Sequence, residues 1–300
     1  MAATETAPTT EPIPTGPAHQ VAGVRVPTRS FAGELRAIKV VWQRELIRFS
    51  RDRLRIVTAL IQPFLFLFVL GSGLSSLVSA STDGVNFKTF IYPGVLCMAV
   101  MFTAMFSAAS IVWDREFGFL REMMVAPVRR SSIVLGKCFG GATVAAFQGV
   151  IVIAIAGLVE VPYSLVLILE LFALAMLLAF AITAFGMMAA ARITQMQSFM
   201  ALMQMAIMPM FFISGAMFSV AKLEPWLAIL NRIDPLTYAV DPMRRAIFAH
   251  IDISESARRA LAPGVTWFGW HVPSIVEAGV IAVLGLVMLC IAIWEFSRTE

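Results

Sequence analysis

The sequence predicts an all-α integral membrane protein: six transmembrane helices, an N-terminal amphipathic interfacial helix, and short broken helices between spans five and six. Three observations carry this. Of the 300 residues, 59% are hydrophobic and only 14% charged, and the mean hydropathy is +0.83. Six apolar runs reach the roughly 20 residues that a helix needs to cross a ~30 Å hydrocarbon layer. They are Ile56 to Val78, Phe90 to Trp113, Ile133 to Val159, Pro162 to Ala191, Met196 to Val220 and Pro273 to Trp294. The runs are continuous, whereas a transmembrane barrel shows segments of about ten residues with alternating polarity. Lipid offers no partner for backbone N–H and C=O groups, so helices are required.

Residues 1–30 are rich in Thr, Pro and Ala and hold no apolar run, which reads as a flexible cytoplasmic tail and as neither a signal peptide nor a span. In residues 31–52, Phe31, Leu35, Ile38, Trp42, Leu46 and Phe49 recur at helical spacing on one face, with Arg36, Arg44, Arg48 and Arg51 elsewhere on the cylinder. Such a helix suits the membrane interface, apolar face down and guanidinium groups toward lipid phosphates. The six-span domain occupies residues 53–296. In span one, Gln62-Pro63 predicts a kink, followed by Phe64, Phe66 and Phe68.

Between spans two and three, Asp114 is expected to cap a short helix that Pro127 ends, residues 114–127. Paired charges (Arg115, Glu116, Arg121, Glu122) stand there among Phe117, Gly118, Phe119, Leu120 and Met123. Apolar anchors inside a charged rim form a docking surface; an interfacial loop is the plainer alternative. In span three, Gly136 and Gly140 form a small-xxx-small pair that lets helices approach closely. Span five places Met196, Met200, Met203, Gln204, Ile207, Phe211 and Ser214 on one face, a candidate lining for a route through the bilayer. Gln62 and Phe66 of span one are further candidates for that path.

After span five, residues 222–272 carry Asp234-Pro235 and Asp241-Pro242, each an Asp cap with Pro at the first helical position. Trp226, Leu230, Leu236, Tyr238, Met243 and Phe248 make the segment too apolar for a free external loop, so it is expected to dip into the outer leaflet. Arg244 and Arg245 are placed to reach headgroups or to pair with Asp234 or Asp241. Glu170 and Glu277 lie inside spans, where an acid costs roughly 2.5–3.5 kcal/mol at the bilayer centre, so each requires protonation or a partner.

Sixteen of the twenty-three Lys and Arg residues fall on the side that carries both termini. The positive-inside rule therefore puts both termini in the cytoplasm. The net charge of +4 follows from these flanks and matches an anionic membrane surface, with no nucleic-acid partner implied. Cys97, Cys138 and Cys290 sit in apolar runs without Cys-x-x-Cys spacing, which argues against disulfides and zinc. His19, His250 and His271 lie outside the spans, so Ser214 has no base to activate it as a nucleophile. The chain has no Gly-x-x-x-x-Gly-Lys-Ser/Thr: Gly136-Lys137 is followed by Cys138. It therefore holds no P-loop for ATP.

The run from Ser214-Gly215 through Asp234-Pro235-Leu236-Thr237-Tyr238 to Arg244, together with Asp114-Arg115-Glu116 to Pro127, resembles the ABC-2 type permeases of ATP-binding-cassette transporters, most closely the daunorubicin-resistance-like drug exporters. The resemblance covers about residues 31 to 296. It implies that residues 114–127 are a coupling helix resting on a separate ATPase subunit, present in two copies. ATP and Mg²⁺ would be bound there, with no cofactor on this chain. It further implies that two permeases pair, that residues 222–272 form a re-entrant segment containing Asp234, Pro235, Tyr238 and Arg244, and that the cargo is an amphiphilic molecule leaving the cytoplasm of a bacterium. Lipid-linked polysaccharide export and ion-coupled secondary transport are the competing readings.

Overall fold

A computed structural model describes residues 30–78, 85–119, 128–267 and 269–298. Among them, six helices are long and apolar enough to cross a membrane: Arg53–Ser75, Phe87–Glu116, Arg130–Ala154, Leu165–Arg192, Met196–Ile213 and Ser274–Arg298. The expected all-α architecture is observed. The tail proposed for residues 1–30 lies outside the described residues apart from Ser30, whose hydroxyl accepts from Gly33 N and caps the first helix.

That helix, α1 (Phe31–Arg51), ends at Asp52, whose carboxylate accepts from Arg55 N and starts α2 (Arg53–Leu65). Span one is α2, a π-helical turn at Phe66–Leu70 and α3 (Gly71–Val78). Pro63, inside α2, has no N–H to give the preceding turn, and the helix widens into the π turn just beyond it. The kink expected at Gln62-Pro63 thus takes the form of a change of helical pitch.

Spans two to four are α4 (Phe87–Glu116), α5 (Arg130–Ala154) and α6 (Leu165–Arg192). The central helix is α4, with 89% of its most apolar window buried against 17% for span one. It packs on α5, α6 and α7 (Met196–Ile213). Span five stops seven residues before the expected Val220, because Ser214 and Gly215 turn the chain out of the helix. Three short helices follow, α8 (Pro225–Ile233), α9 (Thr237–Ala249) and α10 (Glu255–Leu261), with a small hairpin of β1 (Thr266–Trp267) and β2 (Trp270–His271) before α11 (Ser274–Arg298), which lies on α6.

Two sequence expectations change here. Asp114 does not open a new helix: α4 continues to Glu116, and Asp114 is buried within it. Asp241-Pro242 does not open one either. Pro242 lies inside α9, and Asp241 accepts from Val265 N at 3.2 Å and pairs with Arg245 at 3.0 Å. A side chain bound to a distant segment is not available to cap its own turn.

The helix α1 is docked along α5. A Cβ at Gly136 would sit 2.7 Å from Cβ of Val41, and one at Gly140 would sit 2.8 Å from Cβ of Glu45. The small-xxx-small pair therefore seats α1. Trp42 Nε1 donates to Thr143 Oγ1 at 3.1 Å, and Glu34 accepts from Arg129 N at 3.0 Å and Ser132 Oγ at 2.6 Å. Phe31 and Leu35, the first turns of the predicted apolar face, are exposed, whereas Phe49 and Glu45 are buried.

Candidate functional site

The α1 end of the bundle carries an ion-pair cluster that the hydropathy pattern concealed. Lys137, inside span three, is fully buried, and its Nζ reaches Asp114 Oδ2 at 2.5 Å, Glu45 Oε1 at 3.0 Å and Ser110 Oγ at 3.2 Å. Arg44 and Arg48 of α1 approach the same Asp114 carboxylate at 3.4 and 3.6 Å. Contrary to the interfacial expectation, these two guanidinium groups are turned toward the bundle. The clue was present: a lysine five residues into span three must find a carboxylate, and Asp114 and Glu45 were the candidates at that level.

Next to it, Arg115 Nη1 donates to the last carbonyls of span four, Ala190 at 3.0 Å and Ala191 at 3.3 Å, and to Ile193 at 3.0 Å. Glu116 accepts from Met196 N at 3.3 Å, at the start of span five. Both groups are well sited, one against the negative end of a helix dipole and the other against the positive end. Two adjacent residues of span two therefore lash together the ends of spans four and five. Beyond them, Phe117 and Phe119 are exposed and Gly118 has φ +81. Leu120, Arg121 and Glu122, with the rest of the expected coupling helix through Pro127, lie outside the described residues.

Above this joint, spans one, two and five line an open-sided cavity of about 580 Å³. Span two supplies a stripe at helical spacing, Ala99, Phe102, Thr103, Phe106, Ser110 and Trp113, which at 1.5 Å per residue runs roughly 21 Å along the axis. Gln62, Met196 and Met200, expected on the path, line it, together with Arg48, Asp52 and Arg55. The other expected residues do not. Met203, Ile207 and Phe211 are buried in the core, Phe66 stands edge-on to Phe211 at 6.4 Å, and Gln204 is exposed outside the cavity. Span five presents the 199, 203, 207 and 211 face to the bundle, because Phe199 extends that apolar stripe while Gln204 falls off it. Ser214 is buried in the turn after span five, its hydroxyl donating to Phe211 O at 2.8 Å and accepting from Ala216 N at 3.3 Å.

At the opposite end, Arg244 reaches neither headgroups nor an aspartate. It is fully buried over the Phe90 ring at 4.4 Å, and it donates to the carbonyls of Gly215 at 2.6 Å, Ala216 at 3.3 Å and Phe218 at 3.5 Å. Burial lowers its pKa to about 10, with Asp241 pulling the other way. Gly215 has φ +74, and a Cβ at Gly94 would sit 2.5 Å from Ala216 O. The Ser-Gly turn is thus pressed onto span two and held by the arginine. Asp234 accepts from Leu236 N at 3.3 Å and Thr237 Oγ1 at 3.2 Å, and Pro235 makes the turn between α8 and α9. Asn231 Nδ2 ties the same knot to Ile213 O at 2.7 Å. Tyr238 donates to Arg232 O at 2.6 Å and accepts from Trp267 Nε1 at 3.1 Å. Burial pushes the Asp234 carboxyl up to about 7, against those hydrogen bonds. Arg245 bridges Asp241 and Glu277, so Glu277 has its partner; Glu170 is half-buried on α6.

A family model described as ABC-2 type transporter matches residues 36–248. The chain belongs to the ABC-2 type transporter family. This ABC-2 transporter is similar to a putative transport permease, ycf38, of Cyanophora paradoxa, at 29% identity over 68% of this chain and 72% of the relative. It is also similar to nodulation protein J of Rhizobium leguminosarum bv. trifolii, at 28% identity over 70% and 80%, and to the inner membrane transport permease YadH of Escherichia coli K12, at 26% over 80% and 90%. ABC-2 permeases are membrane subunits that work with a separate ATPase and are not enzymes themselves. The chain is therefore a multi-pass membrane transport permease.

Proposed function

We propose that this permease is the membrane subunit of an ATP-driven exporter in a bacterial inner membrane, with the α1 end in the cytoplasm. Two copies and two ATPase subunits would form the complex, with ATP and Mg²⁺ on the ATPase and an amphiphilic, drug-like or lipid-like molecule as cargo. In this reading the chain falls in the daunorubicin-resistance-like subset, which the run from Ser214 to Arg244 resembles. The observation that carries the reading is the Arg115–Glu116 lash. Any force applied to the segment after Glu116 passes at once into the ends of spans four and five, and span five walls the cavity. In this reading Arg115 and Glu116 transmit the push, while Phe117, Gly118 and the residues through Glu122 meet the ATPase.

Glu116→Arg tests it. The substitution places a cation at the positive start of span five and releases Met196 N. Reconstituted with the ATPase subunit, the variant is expected to export a fluorescent amphiphile about tenfold more slowly or worse, a loss of roughly 1.4 kcal/mol in coupling. It should still insert and elute as a single species. Export at the wild-type rate would sink the assignment.

A further inference from the structure

The cavity between spans one, two and five has a polarity that selects for one kind of amphiphile. Its walls away from the α1 end are apolar, from Ala99 and Phe102 to Met200. At the α1 end it is lined by two cations, Arg48 and Arg55, and one acid, Asp52. The Arg55 guanidinium, half-buried on the cavity wall, donates to Ser107 Oγ at 3.4 Å and lies 5.8 Å from the Phe106 ring centre. Among the described residues no carboxylate comes within 4.0 Å of it. Asp52, the acid nearest in sequence, accepts from Arg55 N as the cap of α2. Arg48, the other cation on the wall, shares Asp114 with Arg44 and Lys137 and lies over the Trp113 ring at 5.3 Å. Lys137 has Glu45 as a second counter-ion.

We infer that this cavity binds an anionic amphiphile. Its acidic head, a carboxylate, sulfate or phosphate, accepts from Arg55 with Arg48 in support, and its hydrocarbon body lies along Phe102 and Ala99. A cationic amphiphile would meet Arg48 and Arg55, and the one acid on the wall, Asp52, already caps α2 through Oδ1. The inference deepens the exporter reading by naming the cargo's charge, and it rests on that reading for the word cargo; the binding site stands without it.

The test uses the full chain in phosphatidylcholine nanodiscs without any ATPase. Dibromostearate quenches nearby tryptophan, and Trp113 lines the cavity. Saturable quenching that Trp113→Phe removes reports occupancy. The expected result is half-saturation at a concentration at least about tenfold lower for dibromostearate than for the dibromo amine of equal chain length. Arg55→Gln should abolish that preference and Arg55→Lys should keep it, both variants eluting as the wild type does. Equal affinity for acid and amine, or a preference untouched by Arg55→Gln, overturns the inference. In nanodiscs of phosphatidylglycerol, loss of the probe signal assigns the head to an anionic membrane lipid, and a persistent signal assigns it to a cargo molecule; both support an anion site. Binding without ATP-driven export in the presence of the ATPase would count against the exporter reading and leave the site in place.

Discussion

Arg244 occupies a position where a charge is kept for its donors. Its guanidinium satisfies carbonyls of Gly215, Ala216 and Phe218 that the sharp turn after span five leaves unpaired. A lysine carries the charge but cannot fork to several acceptors. Arg244→Met should cost on the order of 1–3 kcal/mol for each acceptor left buried and unpaired, read as a lower melting temperature in detergent, with Arg244→Lys intermediate. Equal melting of all three proteins would refute the clamp. Asp234 provides a pH prediction. Its folded pKa, raised by burial to about 7 from 3.8, means that the folded state binds the proton more tightly than the unfolded chain. The stabilisation is fully present below pH 3.8 and is lost as pH rises through about 7. Thermal stability should therefore fall between pH 3.8 and about 7, and Asp234→Asn should flatten that part of the profile; an unchanged slope in the variant would remove Asp234 as the cause. That Asp234-Pro235 breaks the chain between α8 and α9 was legible at residue scale, although Pro235 lies in the turn two residues before α9 and not at its first helical position. That Arg244 would choose carbonyls over Asp234 or Asp241 was not, because its acceptors lie 26 to 29 residues away.

At the scale of elements, α1 was visible from its period and its partner was not. The face that docks runs through Ile38, Val41, Trp42 and Glu45, and it carries an acid that a hydropathy reading assigns to water. The glycines of span three were legible as a site of close approach, and they receive α1. Gly140→Ile drives a branched side chain into Glu45, an overpacking that typically costs 1–3 kcal/mol. Trypsin should then cut faster at Arg44 and Arg48; protection equal to the wild type would show that α1 sits elsewhere. The same contact explains Lys137, whose burial is tolerable only because α1 and span two bring Glu45 and Asp114 to it. In the proposed exporter this cluster and the Arg115–Glu116 lash lie side by side, so a movement of span two would be felt by α1, span four and span five together.

For the whole molecule, burial divides the bundle unevenly. Span two is enclosed, while spans one and five are 17% and 22% buried over their apolar windows and are left to lipid or to a second copy. The proposed assembly predicts that the purified chain alone, reconstituted in vesicles, moves no amphiphile against a gradient, and that adding the ATPase subunit and ATP starts transport; uphill pumping by the lone chain would contradict it. What the sequence by itself determined was the number and approximate placement of the spans and the absence of a P-loop. Those depend on runs of apolar residues and on contiguous motifs, which chemistry reads locally. Tertiary structure alone decided which face of span five lines the cavity, that Asp114 is a buried counter-ion instead of a helix cap, and that Arg55 and Thr103 share one wall. Each of these depends on pairing residues far apart in the chain, and a helical period specifies a face without specifying what will cover it.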